Sequence, residues 1–132
     1  MSEKFFVYGT LKIGGYFATH LDSIRKNVRK ATLNNFDLFG VVQRKGAPPS
    51  FPAAVKGTGK IEGEIHEFAD DSAATAMMDA IEGYDDRDPK NSLYVRTTAE
   101  AVLETGETET VFIYLFNREI QDFYPRLKEW KI

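Results

Sequence analysis

The chain has 132 residues, 42% hydrophobic and 28% charged, with a formal net charge of -3 and no cysteine. That length fits one domain, residues 1–132, able to bury roughly two-thirds of its unfolded surface, and the composition excludes a disordered chain. The acidic balance argues against nucleic acid as a partner, and the missing cysteine excludes disulfides, thiolate-ligated metals and a Cys nucleophile.

Residues 1–4 lead straight into an apolar segment, with no h-region of the signal-peptide kind. No run approaches the ~20 apolar residues that a membrane helix needs. The cytoplasm is therefore the expected location, with no membrane partner.

Phe5, Phe6, Val7 and Tyr8 read as a short buried strand that breaks at Gly9. A glycine at a strand end lets the backbone turn, so that main-chain N–H groups of the Gly9-Thr10-Leu11 loop can face an anion. Phe17, Leu21 and Ile24, spaced by four and three, predict a helix over 16–26. Residues 28–38 read as extended, with Asn34-Asn35 marking a bulge or tight turn. Pro48, Pro49 and Pro52 remove donors and fix φ, so 46–52 is expected to be irregular. Over 60–68 the pattern alternates. Ile61, Gly63 and Ile65 share one face, while Glu62, Glu64 and His66 share a wet one.

Asp70-Asp71-Ser72 supplies capping chemistry for an alanine- and methionine-rich helix that stops at Glu82-Gly83. Residues 84–92, polar and proline-containing, form a loop. The clearest hairpin joins 93–104 to 108–116 through Thr105-Gly106-Glu107. Val111, Ile113 and Leu115 face one way and Phe112, Tyr114 and Phe116 the other, so both sides of this strand are apolar. That predicts a central strand or a barrel wall covered by helices. Phe123, Leu127 and Trp130 predict a final helix interrupted near Pro125. The fold class is α+β: a small mixed β-barrel or strongly curved sheet with flanking helices.

Several chemistries fail on spacing. Gly9 and Gly14 stand as in a P-loop, but Gly15 and Tyr16 occupy the Lys and Ser/Thr positions, and no Gly-x-Gly-x-x-Gly opens a helix. His20 and His66 belong to no metal motif, which leaves them as surface or half-buried structural residues. No Gly-x-Ser-x-Gly elbow occurs. What remains is a carboxylate. Glu82 meets the negative end of the helix dipole, and Asp79 lies one turn earlier. Partial burial and that like charge are both expected to raise its pKa toward neutral, which suits proton transfer. Taken alone, a glutamate in this position reads as a solvated residue at a helix end.

Tyr8-Gly9-Thr10-Leu11 after a first strand, Gly63-Glu64 in a middle one, then Asp79-Ala80-Ile81-Glu82-Gly83, Tyr94-Val95-Arg96 and a late-strand Tyr114 resemble, in order and spacing, the γ-glutamylcyclotransferase-like family. The likeness runs from about residue 5 to 116. The loop over 84–92 is longer than the family pattern, which bears on the pocket rim and on leaving-group choice. The resemblance implies an enzyme that needs no cofactor or metal and acts on a small γ-glutamyl amide or γ-glutamyl amino acid. The substrate's α-amine attacks its own γ-carbonyl, releasing 5-oxoproline and the free amine. It implies Glu82 as general base and acid. Tyr8, Gly9, Thr10, Leu11, Tyr94 and Tyr114 would bind substrate, and Arg96 reads as structural. The competing expectation is a non-catalytic module that senses an amino-acid-like ligand on the same fold.

Overall fold

The computed structural model describes residues 3–8, 25–68 and 72–130. Its elements, in chain order, are β1 (Glu3–Val7), β2 (Arg25–Val41), β3 (Phe51–Phe68), α1 (Ser72–Glu82), a 3-10 turn (Pro89–Asn91), β4 (Tyr94–Leu103), β5 (Thr108–Phe116) and β6 (Arg126–Leu127). The strands run in the order β3-β1-β5-β4-β2, and β2 pairs back onto β3, so five strands close a mixed barrel. Pairing is antiparallel except between β1 and β5, which meet in parallel at Phe5 and Phe112. Closure leaves no free edge among these five, and β6 adds a short extra strand to β2.

Strand alternation makes two cores. All five barrel strands send residues inward, among them Phe6, Leu33, Ile65, Ala101 and Ile113. Phe5, Val7, Phe68, Tyr114 and Phe116 form a second cluster, together with Ala74 and Met78 of α1. The expected two-sided strand is β5: Val111 and Ile113 join the first cluster, Tyr114 and Phe116 the second. One glycine is required inside. A Cβ on Gly63 would stand 2.7 Å from the Val7 carbonyl oxygen and from Phe6 Cζ, and the carbonyl cannot step aside.

The interior faces of β1, β2, β3 and β5 end in charge. Lys4, Arg29, Glu67 and Glu109 continue the inward alternation of Phe6, Ala31, Ile65 and Val111. Arg29 Nη2 donates to Glu109 Oε1 at 2.6 Å and Arg29 Nη1 binds Oε2, while Lys4 Nζ stands 3.0 Å from Oε1. The Arg29 hydrogen bonds, helped by Lys4 and against the effect of burial, hold Glu109 down at about 2. A depressed carboxylate stabilises the fold above its ordinary value of 4.5 and loses that contribution as pH falls toward 2. Urea unfolding at pH 7 and pH 3 is therefore expected to show a smaller acid loss in Glu109→Gln than in the unmodified chain. An equal loss in both contradicts the assignment.

Several expectations change. The bulge at Asn34-Asn35 is present: Asn35 has φ 68°, and the register skips between Asn34 and Phe36. Phe51 and Pro52, expected to be irregular, instead open β3 opposite Val41 and Gly40. A proline is tolerated near a strand start, where its fixed φ suits extended chain. The final helix is absent. Gly40 N–H donates to the Pro125 carbonyl at 2.9 Å, Glu62 N–H donates to that of Lys128 at 3.0 Å, and Leu127 pairs with Leu38. Backbone groups a helix would have used internally are thus spent on strands far away in sequence. His66 lies on no wet face: it is fully buried, with Arg25 Nε donating to Nδ1 at 3.1 Å and Glu64 Oε1 2.9 Å from Nε2. Of the helix expected over 16–26, Arg25 and Lys26 belong to β2 and the rest lies outside the described residues, as do Asp70 and Asp71.

Candidate active site

Helix α1 ends as its sequence demands. Gly83 takes φ 70°, a conformation open to glycine, and its N–H donates to the Ala80 carbonyl at 3.3 Å. Tyr84 N–H reaches back to the Asp79 carbonyl at 2.9 Å. These are the two bonds of a Schellman stop, and they make Glu82 the last helical residue.

Glu82 is half-buried, and burial raises its carboxyl from 4.5 to about 7. The expectation that Asp79 helps to raise it is corrected, because Asp79 is already engaged. Arg96 Nη1 lies 2.5 Å from its Oδ2, and the Tyr114 hydroxyl donates to Oδ1 at 2.6 Å. A carboxylate neutralised in this way adds no repulsion to the next turn.

Three buried tyrosines are coupled to this end of the helix. Tyr8, Tyr94 and Tyr114 are all buried, at 6%, 7% and 3% exposure, so each hydroxyl needs a partner within the protein. Tyr8 donates to the Tyr114 carbonyl at 2.5 Å and Tyr94 to the Pro52 carbonyl at 2.6 Å. Burial pushes the Tyr8 and Tyr94 hydroxyls well up, and in both the charge of Glu82 pushes in the same direction. Glu82 therefore acts electrostatically on the ends of β1 and β4. Tyr114 also titrates high, through burial and then its bond to Asp79, so it faces Asp79. The charge of Glu82 thus acts on Tyr8 and Tyr94, while Tyr114 accepts from Tyr8 through its carbonyl and donates its hydroxyl to Asp79, one helical turn before Glu82. Gly9, Thr10 and Leu11 lie outside the described residues.

The long loop over 84–92 is tied down along its length. Ser92, 5% exposed, accepts from the Asp85 N–H at 2.9 Å and donates to the Asp88 carbonyl at 3.1 Å. Arg118 Nη1 and Asn117 Nδ2 both donate to the Ser92 carbonyl, at 2.7 and 2.9 Å. Sequence reasoning missed this network. It also missed the guanidinium of Arg96, 5.4 Å from the Tyr84 ring centre and 5.2 Å from that of Phe112.

A profile of the family described as γ-glutamyl cyclotransferase, AIG2-like, matches residues 5–131. The chain belongs to that family. A search of curated proteins gives no match. Solved structures share the family's fold. An AIG2-like protein of Mus musculus aligns with a TM-score of 0.73 and 19% identity, over 98% of this chain and 88% of its own. A protein of Arabidopsis thaliana aligns at 0.69 and 22%, over 94% and 75%. A γ-glutamyl cyclotransferase aligns at 0.59 and 18%, over 96% and 70%. The family's barrel is the architecture found here. Among the described residues, no helix is long and apolar enough to cross a membrane.

Proposed function

We propose that this chain is a cyclotransferase that releases 5-oxoproline from a γ-glutamyl amide or γ-glutamyl amino acid, with Glu82 carrying the protons. The feature that supports this most is a carboxyl at the last turn of α1, lifted by burial to about 7, whose charge acts on the buried Tyr8 and Tyr94. Such a group accepts and returns a proton at physiological pH at little cost either way.

In this reading ionised Glu82 takes a proton from the α-ammonium of the substrate. The freed amine attacks the γ-carbonyl carbon, a C–N bond forms, and the carbonyl oxygen becomes an oxyanion. Protonated Glu82 then gives its proton to the leaving nitrogen as the original amide bond breaks and the carbonyl re-forms, and the ring nitrogen, cationic after the attack, passes its second proton through the again ionised Glu82 to the departing amine. Of the three ammonium protons, one stays on the lactam and two end on the departing amine, so no net proton is consumed. Nucleophile and electrophile belong to one molecule, so holding the folded-back conformer supplies much of the rate. N–H groups of Gly9, Thr10 and Leu11 would hold the substrate carboxylate or the oxyanion. Tyr8 and Tyr94 would wall the γ-glutamyl head, and Tyr114 would act through Asp79. The loop over 84–92 would read the group beyond the scissile amide.

Because the free enzyme needs Glu82 ionised, kcat/KM for 5-oxoproline release is expected to rise with pH and level off above about 7. A profile flat from pH 5.5 to 8.5, with substrate ionisation accounted for, contradicts the role given to this carboxyl.

A further inference from the structure

One arginine touches both sides of the turn that carries Glu82. Asp79, three residues before it, is bound by Arg96 Nη1 at 2.5 Å, and Tyr84, two residues after it, has its ring 5.4 Å from the same guanidinium. The guanidinium also lies 5.2 Å from the Phe112 ring of β5, so it is held by flat faces as well as by charge. Tyr114 takes the other oxygen of Asp79, which leaves that carboxylate no freedom to swing. Tyr84 and Asp79 are themselves joined by the backbone bond that ends the helix. Glu82 thus sits in a short loop of chain whose two ends are gripped by one rigid side chain projecting from β4.

We propose that Arg96 is a positioning residue that clamps the Glu82 turn at Asp79 and Tyr84 and thereby fixes where the Glu82 carboxyl points. The inference rests on Glu82 being the proton carrier, but the clamp itself has a consequence that needs no substrate. Arg96 performs no proton transfer and touches no reacting atom. Its lysine replacement keeps a charge for Asp79 but has no plane to stack on Tyr84 and Phe112. Displacing a reacting group by about 1 Å costs ~10²-fold in rate, so loss of the clamp is read in kcat rather than in binding.

The test compares Arg96→Lys, the double variant Arg96→Met with Asp79→Asn, and Thr75→Val. The double variant removes the clamp without leaving Asp79 charged, which would otherwise push Glu82 upward by itself. Thr75→Val loosens the opposite end of α1, where Thr75 Oγ1 binds Glu3 Oε1, and serves as the control for helix docking alone. The first readout is a 13C titration of glutamate carboxyls, with the Glu82 signal assigned by its absence in Glu82→Gln. The titratable groups on which the Glu82 charge acts are Tyr8, just past β1, and Tyr94 of β4; the Asp79–Arg96 pair flanks its turn. The expected result is a Glu82 midpoint that falls in the double variant by about one unit or more, as water reaches the loosened turn. In Thr75→Val it stays near about 7. The second readout is 5-oxoproline release, where kcat is expected to fall ~10–100-fold in Arg96→Lys with KM nearly unchanged. The proposal is overturned if the midpoint is the same in the double variant and the unmodified chain, or if Thr75→Val, at equal loss of Tm, moves it as far. Should the unmodified chain release no 5-oxoproline, the proposed reaction fails while the titration still decides the clamp.

Discussion

Glutamine in place of Glu82 is expected to lower 5-oxoproline release by at least ~10²–10⁴-fold, the range of one general acid–base group, and by more where a single carboxyl serves two steps. The amide is close in shape, so circular dichroism is expected to be unchanged. Stability supplies an independent check with a definite sign. A carboxyl raised from 4.5 to about 7 on folding gives a contribution fully present below 4.5 and lost as pH rises through 7. The unmodified chain should therefore lose stability between pH 5 and pH 8 through this group, and Glu82→Gln should not. A variant that is inactive at pH 8 yet more stable there than the parent separates a chemical defect from a folding one. Turnover within about threefold of the parent would remove Glu82 from the mechanism.

Phe5→Ala is expected to cost the most stability of any single truncation near the site, about 3–5 kcal/mol. Phe5 is fully buried and meets three rings: Phe68 edge-on at 5.9 Å, Phe112 tilted at 5.4 Å, and Tyr114 stacked at 6.2 Å. Against the ~5–15 kcal/mol that ordinarily holds a domain, that loss takes a large share, and Tm should fall by on the order of 10–20 °C. Tyr114 carries the hydroxyl that holds Asp79, so the same cavity loosens the support of α1. Thermal unfolding followed by circular dichroism measures it. A shift of less than about 3 °C would mean that the aromatic cluster collapses to fill the gap.

Much of this fold is written in local pattern. The two apolar faces of 111–116 require a wall with a core on each side, and β5 is that wall. The run from Ser72 to Gly83 carries its own stop, because glycine enters the left-handed conformation without a Cβ penalty. What was not legible depends on partners distant in sequence. Phe123, Leu127 and Trp130 have helical spacing, yet the chain around Pro125 pairs with Gly40, Leu38 and Glu62, more than sixty residues away. His66 alternates with glutamates as an exposed residue would. Yet its face of β3 also carries the fully buried Phe68, and its register partner on β1 is Phe5.

The candidate site divides in the same way. The position of Glu82 as the last residue of α1 was legible from the helix pattern, and so was the glycine that stops the helix after it. Asp79 was misread as a like charge acting on Glu82, because its partners lie on β4 and β5 and no spacing announces them. Arg96 was legible as structural, but the reason for it, a hold on both flanks of Glu82, required the barrel to bring β4 under α1.

The most direct measurement incubates the chain with γ-glutamyl amines, γ-glutamyl amino acids and glutathione, and quantifies 5-oxoproline, glutamate and free amine together. The account predicts that at least one substrate gives 5-oxoproline and free amine in equal amounts without glutamate, since the substrate's own amine displaces the leaving group. Release of glutamate in place of 5-oxoproline, or binding of these compounds with no release from any of them, would contradict it.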